Sequence, residues 1–267
     1  MSRGYFHVAA PLIALVLLIV FFLSPVAADE SIVVRHPEGL SHGFLRLRNE
    51  KGALLASGET TQRRRGNEMI ARMMFRFRDG SAYDETTVFT QQRQFRLVSD
   101  HVVQHGPAFP ESSDVLIDAR SGNVTVRYTD DGEQKVANEH MDLPPDLANG
   151  IIQTLLKNVR PEAAPESFAY VAATPKPRLI KLRLLVDGTD RFRHGSLIRR
   201  ATHYVLKAEL GGVAGVVAPI IGEQPPDSHV WIVAGEAPGF LRAKQPFFSD
   251  GPLWTIELAA PEWIAGS

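Results

Sequence analysis

The sequence predicts a mostly β fold, in which a curved antiparallel meander or half-barrel wraps on one central amphipathic helix. The first indication is the two-residue alternation of apolar and polar side chains, as in "LRLR" at 45–48, which is typical of a strand with one buried face. The second is that such segments follow one another across short turns, such as Asp79-Gly80, which favours hairpins. The third is one stretch, at about 144–160, where apolar residues recur at helical spacing.

The chain begins with a segment typical of export. Arg3 precedes an apolar run of 16 residues at 8–23, and the small residues Val26-Ala27-Ala28 follow it. Because about 20 residues are needed to span a bilayer, we expect a signal peptide over 1–28 that is cleaved after Ala28. An uncleaved anchor is the alternative. No later segment is apolar enough to span a membrane, so we expect a single exported domain over 29–267.

Composition excludes several classes of protein. Of the 267 residues, 44% are hydrophobic and 22% are charged, so the chain can bury a core. The net charge of -1 gives no basic excess for nucleic acid. The sequence has no cysteine, which excludes disulfides, thiolate metal sites and a lipidated N-terminal cysteine. Export without cysteine suggests a bacterial periplasm.

The predicted strands stand on both sides of the helix. Because consecutive hairpins need the shortest connections, we expect a meander of about ten to twelve strands. Prolines at 161, 165, 175 and 177 mark the one candidate linker, but a single continuous sheet is favoured over two domains. The clearest predicted strands, in chain order, lie at 45–48, 71–78, 83–99, 115–117, 124–128, 180–186, 202–210, 213–221, 229–234 and 253–258.

The predicted helix has a start signal, an apolar stripe and a stop signal. Asp142 is the expected N-cap, prolines occupy the first turn, and Pro161 ends the helix. Burying the six side chains of the stripe is worth roughly 9–18 kcal/mol before entropy is subtracted, so the helix must cover the concave face of the sheet. The stripe consists of Leu147, Ile151, Ile152, Leu155, Leu156 and Val159.

The order of these parts resembles a known architecture. Together with the "LPPDLANGIIQTLL" helix and the closing "RAKQPFFSDGPLWTIEL" hairpin, it resembles the half-barrel of the periplasmic lipoprotein-localisation carriers of the LolA/LolB type. It is closer still to a related family of exported bacterial proteins of unknown function. The likeness covers about Gly43 to Leu258, although the segment between helix and final strands is longer here. The resemblance implies a hollow that takes acyl chains or another apolar ligand, and no catalytic residue.

Methionine and aromatic side chains on the inner strand face, together with the helix stripe, are the candidate lining of that hollow. Methionine is flexible and polarisable, which suits an adaptable apolar cavity. The alternative is an ordinary core beneath the helix. The candidate residues are Met73, Phe75, Phe77, Phe89, Phe95, Leu97, Leu147, Ile151 and Leu155.

Arginines on the opposite face and at one hairpin tip form a candidate partner surface. Arginine holds carboxylates and phosphates through paired hydrogen bonds, so an envelope protein or anionic headgroups would suit this surface. The alternative is a solvated face in which arginines pair with neighbouring acids. The residues are Arg46, Arg48, Arg63, Arg64, Arg65, Arg72, Arg76 and Arg78.

No motif for catalysis or for a metal accompanies these residues. His101 and His105 are four apart, but they lie at a strand end and loop, and no H-E-x-x-H motif is present. His203 lies within a predicted strand and is expected to be a satisfied sheet residue. The serines lack the G-x-S-x-G turn. We therefore expect no cofactor, no metal and no enzyme activity.

The leading hypothesis for function is an exported, non-catalytic protein that binds a lipid-like or other apolar ligand in the hollow between sheet and helix. The competing hypothesis is an envelope interaction or structural module that uses the arginine-rich strand face and holds no ligand.

Overall fold

The computed structural model describes residues 32–194, 197–209 and 225–259. The signal peptide and the strand predicted at 213–221 lie outside these residues and stay predictions. In the part of the chain that is described, we find no helix with the length and apolar character to cross a membrane.

All the strands belong to one antiparallel sheet, which confirms the predicted curved, open meander. The sheet has fourteen strands, a few more than the sequence predicts. They are β1 (Ser41–Arg48), β2 (Leu54–Arg65), β3 (Glu68–Phe77), β4 (Ala82–Gln91), β5 (Phe95–His105), β6 (Ser113–Asp118), β7 (Asn123–Asp130), β8 (Glu133–His140), β9 (Ser167–Ala172), β10 (Arg178–His194), β11 (Leu197–Glu209), β12 (Ser228–Val233), β13 (Gly239–Gln245) and β14 (Trp254–Ala259).

The chain reaches the two edges of this sheet in two runs. β1 and β14 lie side by side in the middle, the first run leads outward to β8, and the second returns from β9 at the opposite edge. In a flat sheet of this many strands, the edges would stand about 60 Å apart. The segment 141–166 between β8 and β9 carries the helix, so the helix forms part of the connection from one edge to the other across the hollow of the curved sheet.

The helix α1 (Ile152–Asn158) is shorter than the predicted 144–160, and that prediction is wrong in its first half. Asp142 is not its N-cap, because Ile151 holds that position without a side-chain hydrogen bond. Gly150 has a φ of +67°, in the left-handed region, which interrupts a right-handed helix. The residues before it form turns instead, and Leu147 forms a parallel bridge with Ala169 on β9.

Five of the six residues of the predicted apolar stripe are buried, and the sixth, Ile152, is partly buried. Leu147, Ile151, Leu155, Leu156 and Val159 are between 1% and 6% exposed and belong to the main hydrophobic core. The helix contacts strands of the second run, β12 and β13. A single core therefore joins both runs of the meander through this segment.

One irregularity between β4 and β5 changes which residues face that core. Val88 pairs with Ser99, but the next residue, Phe89, pairs with Leu97. Val98 is thus an extra residue on β5, a bulge that shifts the alternation by one position. Before the bulge Leu97 points inward, and after it the even-numbered residues from Asp100 onward do.

Candidate ligand-binding site

A cavity of about 430 Å³ lies on the concave face, beside the helical segment. Its floor is formed by strands β4 to β7, one side by β9 and Asn149, and another by the loop 245–250 between β13 and β14. A far smaller void, of about 10 Å³, lies directly against the helix. Side chains therefore fill the concave face directly beneath the helix, and the larger cavity lies beside it.

Short aliphatic side chains and two phenylalanines make up the apolar part of the lining. On β5 to β7, neighbouring inward positions carry Val102, Val115 and Val126, which stand in one cross-strand row. Phe247 packs on Tyr83 with ring centroids 4.9 Å apart, which fixes the loop over the end of β4. The remaining apolar lining includes Ile117, Val171 and Phe248.

Two carboxylates lie in the same lining. Glu85 on β4 pairs with Val102, and Asp100 on β5 pairs with Thr87, so the two acids occupy diagonal positions on one face. Such positions are about 7–8 Å apart. Asp100 is 3% exposed, and its Oδ1 accepts a hydrogen bond of 2.8 Å from Thr87 Oγ1. Glu85 is partly buried, and the nearby Tyr83 hydroxyl opposes the rise of its pKa.

Burial and mutual repulsion change the acidity of this pair. Burial, followed by the negative charge of Asp100, raises the pKa of Glu85 to about 8. Burial raises the pKa of Asp100 to about 6, although the Thr87 hydrogen bond and nearby His101 oppose the change. Burial, with the charges of Asp100 and Glu85, also raises the pKa of the Tyr170 hydroxyl. At neutral pH the pair therefore carries about one negative charge.

The segment before the helix packs directly against these acids. A methyl group placed on Gly150 would stand 2.2 Å from Thr87 Oγ1 and 2.5 Å from Asp100 Oδ1. Next to it, the Asn149 amide accepts from the Val171 N–H at 2.8 Å and donates to the Val171 carbonyl at 3.0 Å. These contacts join the edge strand β9 to β4 and β5 and thereby close one side of the cavity.

The nine residues predicted for the hollow lie elsewhere in the core. Four of them surround the small void against the helix, namely Phe95, Leu147, Ile151 and Leu155. Five of the nine lie on strands away from that void, and Met73 among these is only partly buried. Among the described residues, the lining of the large cavity includes none of the nine. The five residues that lie away from the small void are Met73, Phe75, Phe77, Phe89 and Leu97.

The predicted arginine surface is a convex face with many ion pairs. Arg48 Nε contacts Glu257 Oε1 at 2.6 Å, and Arg72 Nε contacts Asp84 Oδ1 at 2.9 Å. At the β2–β3 tip, Arg65 pairs with Glu68 at 2.9 Å, and Arg64 Nε donates to the Gly66 carbonyl at 2.8 Å. The remaining predicted residues are Arg46, which also has an interaction within the chain, and the exposed Arg63, Arg76 and Arg78.

No protein-family model matches this chain. Comparisons with curated proteins and with solved structures also found no match. The resemblance to the LolA/LolB-type carriers and to the related exported family therefore stays a prediction.

The strand histidines at 101 and 203 contact neighbouring side chains of the sheet. His101 Nε2 lies 2.9 Å from Asp114 Oδ1 on the outer face. His203 stacks on Trp231 with centroids 4.3 Å apart, and its Nε2 lies 3.0 Å from His229 Nδ1. Across the described ranges, we find no group of three or more histidine, aspartate or glutamate side chains placed to hold a metal ion.

Sequence reasoning missed the acidic lining of the cavity. For Glu85 a signal was present, because the Asp79-Gly80 turn sets Met73 opposite Glu85 on the inner face of the β3–β4 hairpin. For Asp100 no local signal was present. Uninterrupted alternation from Phe95 and Leu97 would turn Asp100 outward, and the bulge at Val98 turns it inward.

Proposed function

We propose that this chain is an exported, non-catalytic protein that binds a ligand with an apolar body in the cavity of its concave face. The cavity of about 430 Å³ carries this proposal. Its volume is in the range typical of small-molecule sites, about 300–1,000 Å³. Such sites combine apolar walls with polar groups that orient the ligand, and the described lining of this cavity carries both kinds of side chain, with the polar kind at least as prominent.

The wall suits a lipid-like or other flexible apolar body. The row of Val102, Val115 and Val126 presents methyl groups along the floor, and Phe247 and Phe248 face it from the loop. Contact with such side chains removes apolar surface from water, which stabilises a complex by about 25 cal/mol per Å². Export to a periplasm and the resemblance to lipoprotein carriers agree with this ligand class, and both belong to the proposal.

The convex arginine face is the weaker candidate for function. Arg48, Arg65 and Arg72 already have carboxylate partners within the chain, so an anionic partner would have to compete with them. Exposed pairs of this kind contribute little to stability, and they fit a solvated sheet face. The proposed function therefore rests on the cavity.

A pair of adjacent substitutions on β6 tests the site. Val115→Phe adds a ring inside the cavity, whereas Leu116→Phe adds the same ring type on the opposite face, where Leu116 is 38% exposed. Titration calorimetry with decylamine and with 1-decanol should show binding to the native chain. We expect a loss of about tenfold or more for Val115→Phe and no change for Leu116→Phe.

Val126→Phe provides a second blocked variant in case Val115→Phe folds poorly, as circular dichroism would reveal. Native mass spectrometry of protein purified from its own host should show an added mass that the blocked variants lose. If neither decyl compound binds the native chain, or if both blocked variants bind like the native chain, the cavity is not the site.

A further inference from the structure

The charges around the cavity are all of one sign. Its described lining contains four carboxylates and neither lysine, arginine nor histidine. Two of them, Glu85 and Asp100, stand on the floor, and Glu111 and Asp250 belong to the flanking loops. An anionic ligand would therefore meet repulsion, and a cationic ligand would meet attraction that is strengthened by the low dielectric of the cavity.

A second observation points to a ligand with a polar, hydrogen-bonding end. The side chain of Gln104 lines the cavity, and the residue is only 8% exposed. Within the described residues, its amide has no hydrogen-bond partner in the chain, although every fully buried polar side-chain atom there has one. Buried amides in folded proteins are normally paired. The Gln104 amide is therefore accessible from the cavity and available to pair with a bound ligand.

The geometry points to a ligand whose apolar body ends in a primary ammonium group, with that group held at Glu85, which lies diagonally opposite Asp100 on one side and Gln104 on the other. A primary ammonium has three donors, so it can bond the Glu85 carboxylate and a neighbouring acceptor, while the other carboxylates of the lining attract it through their charge. The valine row and the loop phenylalanines then hold the apolar body. This inference rests on the proposed function and names the chemical class of the ligand for the same site.

Other classes of ligand would leave some of these charges or hydrogen-bonding groups without a partner. A quaternary ammonium keeps the charge but offers no donor to Gln104 or to the acids. An alcohol offers one donor without the charge, and a fatty acid adds a fifth carboxylate to the four in the lining. Ligands with the same decyl chain therefore separate these chemistries, and decylamine and 1-decanol do so at nearly equal apolar surface.

The experiment is a calorimetric titration of the full chain with decylamine, decyltrimethylammonium, 1-decanol and decanoate. We expect decylamine to bind roughly tenfold to 100-fold more tightly than 1-decanol, because hydrogen bonds to charged groups are the stronger ones. Decanoate should bind most weakly. Equal affinity for decylamine and 1-decanol, with both blocked by Val115→Phe, overturns this inference and leaves the proposed function standing. Absence of binding by both overturns the two together.

Amide variants of Glu85 and Asp100 test whether these two carboxylates cause the preference for decylamine over 1-decanol. Asp100→Asn keeps an acceptor for Thr87, and Glu85→Gln keeps the shape of the side chain. Each should reduce the preference for decylamine over 1-decanol by about tenfold. Asp114→Asn on the outer face of β6 is the matched control, since it removes the same charge outside the cavity. If the control lowers the preference as much as the cavity variants do, long-range charge explains it and the proposed contact is wrong.

The pH dependence gives an independent readout. The titratable groups facing the proposed ammonium are Glu85 and Tyr83 on β4, Asp100 on β5, Tyr128 on β7, Tyr170 on β9, and Glu111 and Asp250 in the loops. Because an alkylammonium stays charged below about pH 10, only the carboxylates change between pH 5 and 8. Decylamine affinity should rise over this interval by up to about tenfold per pH unit, while 1-decanol affinity stays flat. A flat profile for decylamine contradicts the carboxylate contact.

Discussion

Gly150 holds the crossing segment against the β4–β5 pair, and Gly150→Ala is expected to destabilise the fold strongly. Its φ of +67° disfavours any residue with a Cβ, at about 1–2 kcal/mol. The added methyl would also stand 2.2 Å from Thr87 Oγ1. Either the segment moves or the Thr87–Asp100 hydrogen bond breaks, and losing a hydrogen bond to a charged group costs about 1.5–3 kcal/mol.

The expected loss in the free energy of unfolding is about 3–5 kcal/mol, a large share of the roughly 5–15 kcal/mol of a typical domain. Gly132→Ala is the matched control, because Gly132 has a φ of +82° but open space where the methyl would go. The control should lose only about 1–2 kcal/mol. Urea unfolding of both variants measures the difference as a shift in midpoint. If Gly150→Ala is no less stable than Gly132→Ala, the close contact with Thr87 and Asp100 is wrong.

Two further predictions concern the helix and the acid pair. Leu155→Arg should unfold the protein, since Leu155 is 4% exposed and an unpaired buried charge costs several kcal/mol. Circular dichroism measures the unfolding, with Gln153→Arg on the partly exposed side of the helix as the control. A normal thermal melt for Leu155→Arg contradicts the buried position. Glu85→Gln should stabilise the protein at pH 8 by about 1–3 kcal/mol and have little effect near pH 4.5. The pKa of Glu85 is raised to about 8 in the folded state, so between pH 4.5 and 8 the folded state binds a proton that the unfolded state has released. The protein with Glu85 therefore loses stability as the pH rises through this interval. Urea midpoints across this interval test it, and a gain that grows at low pH refutes the sign.

The overall sheet could be predicted because its signals are local. Alternation within each strand and a turn such as Asp79-Gly80 set the inner face and the hairpin register, and the observed pairing of Met73 with Glu85 follows directly. Burial of Leu155 and its neighbours on the helix was equally visible in their spacing. These features depend on residues that are close in sequence.

The errors arise where distant residues decide the local structure. The stretch before Gly150 has helical spacing, but the Ala148 N–H donates to the Ala169 carbonyl and the Asn149 amide bonds Val171 on β9 instead, about twenty residues further along the chain. The bulge at Val98 has no glycine and no proline to announce it. A single extra residue there places Asp100 in the cavity, and that position could be recognised only from the pairing of β4 with β5.

Binding and stability measured together distinguish a structural role of the acid pair from a ligand-binding role. Two carboxylates that share a partly dry face, without a cation in the described lining, destabilise the unliganded fold as soon as both lose their protons. The raised pKa of Glu85 predicts that Glu85→Gln stabilises the ligand-free protein at pH 8 in either role. If Glu85 has only a structural role, the substitution leaves decylamine binding unchanged. If Glu85 serves a cationic ligand, the same substitution raises the stability of the empty protein at pH 8 and weakens decylamine binding. Local features that oppose stability are expected at functional sites, and only the second role produces both changes together.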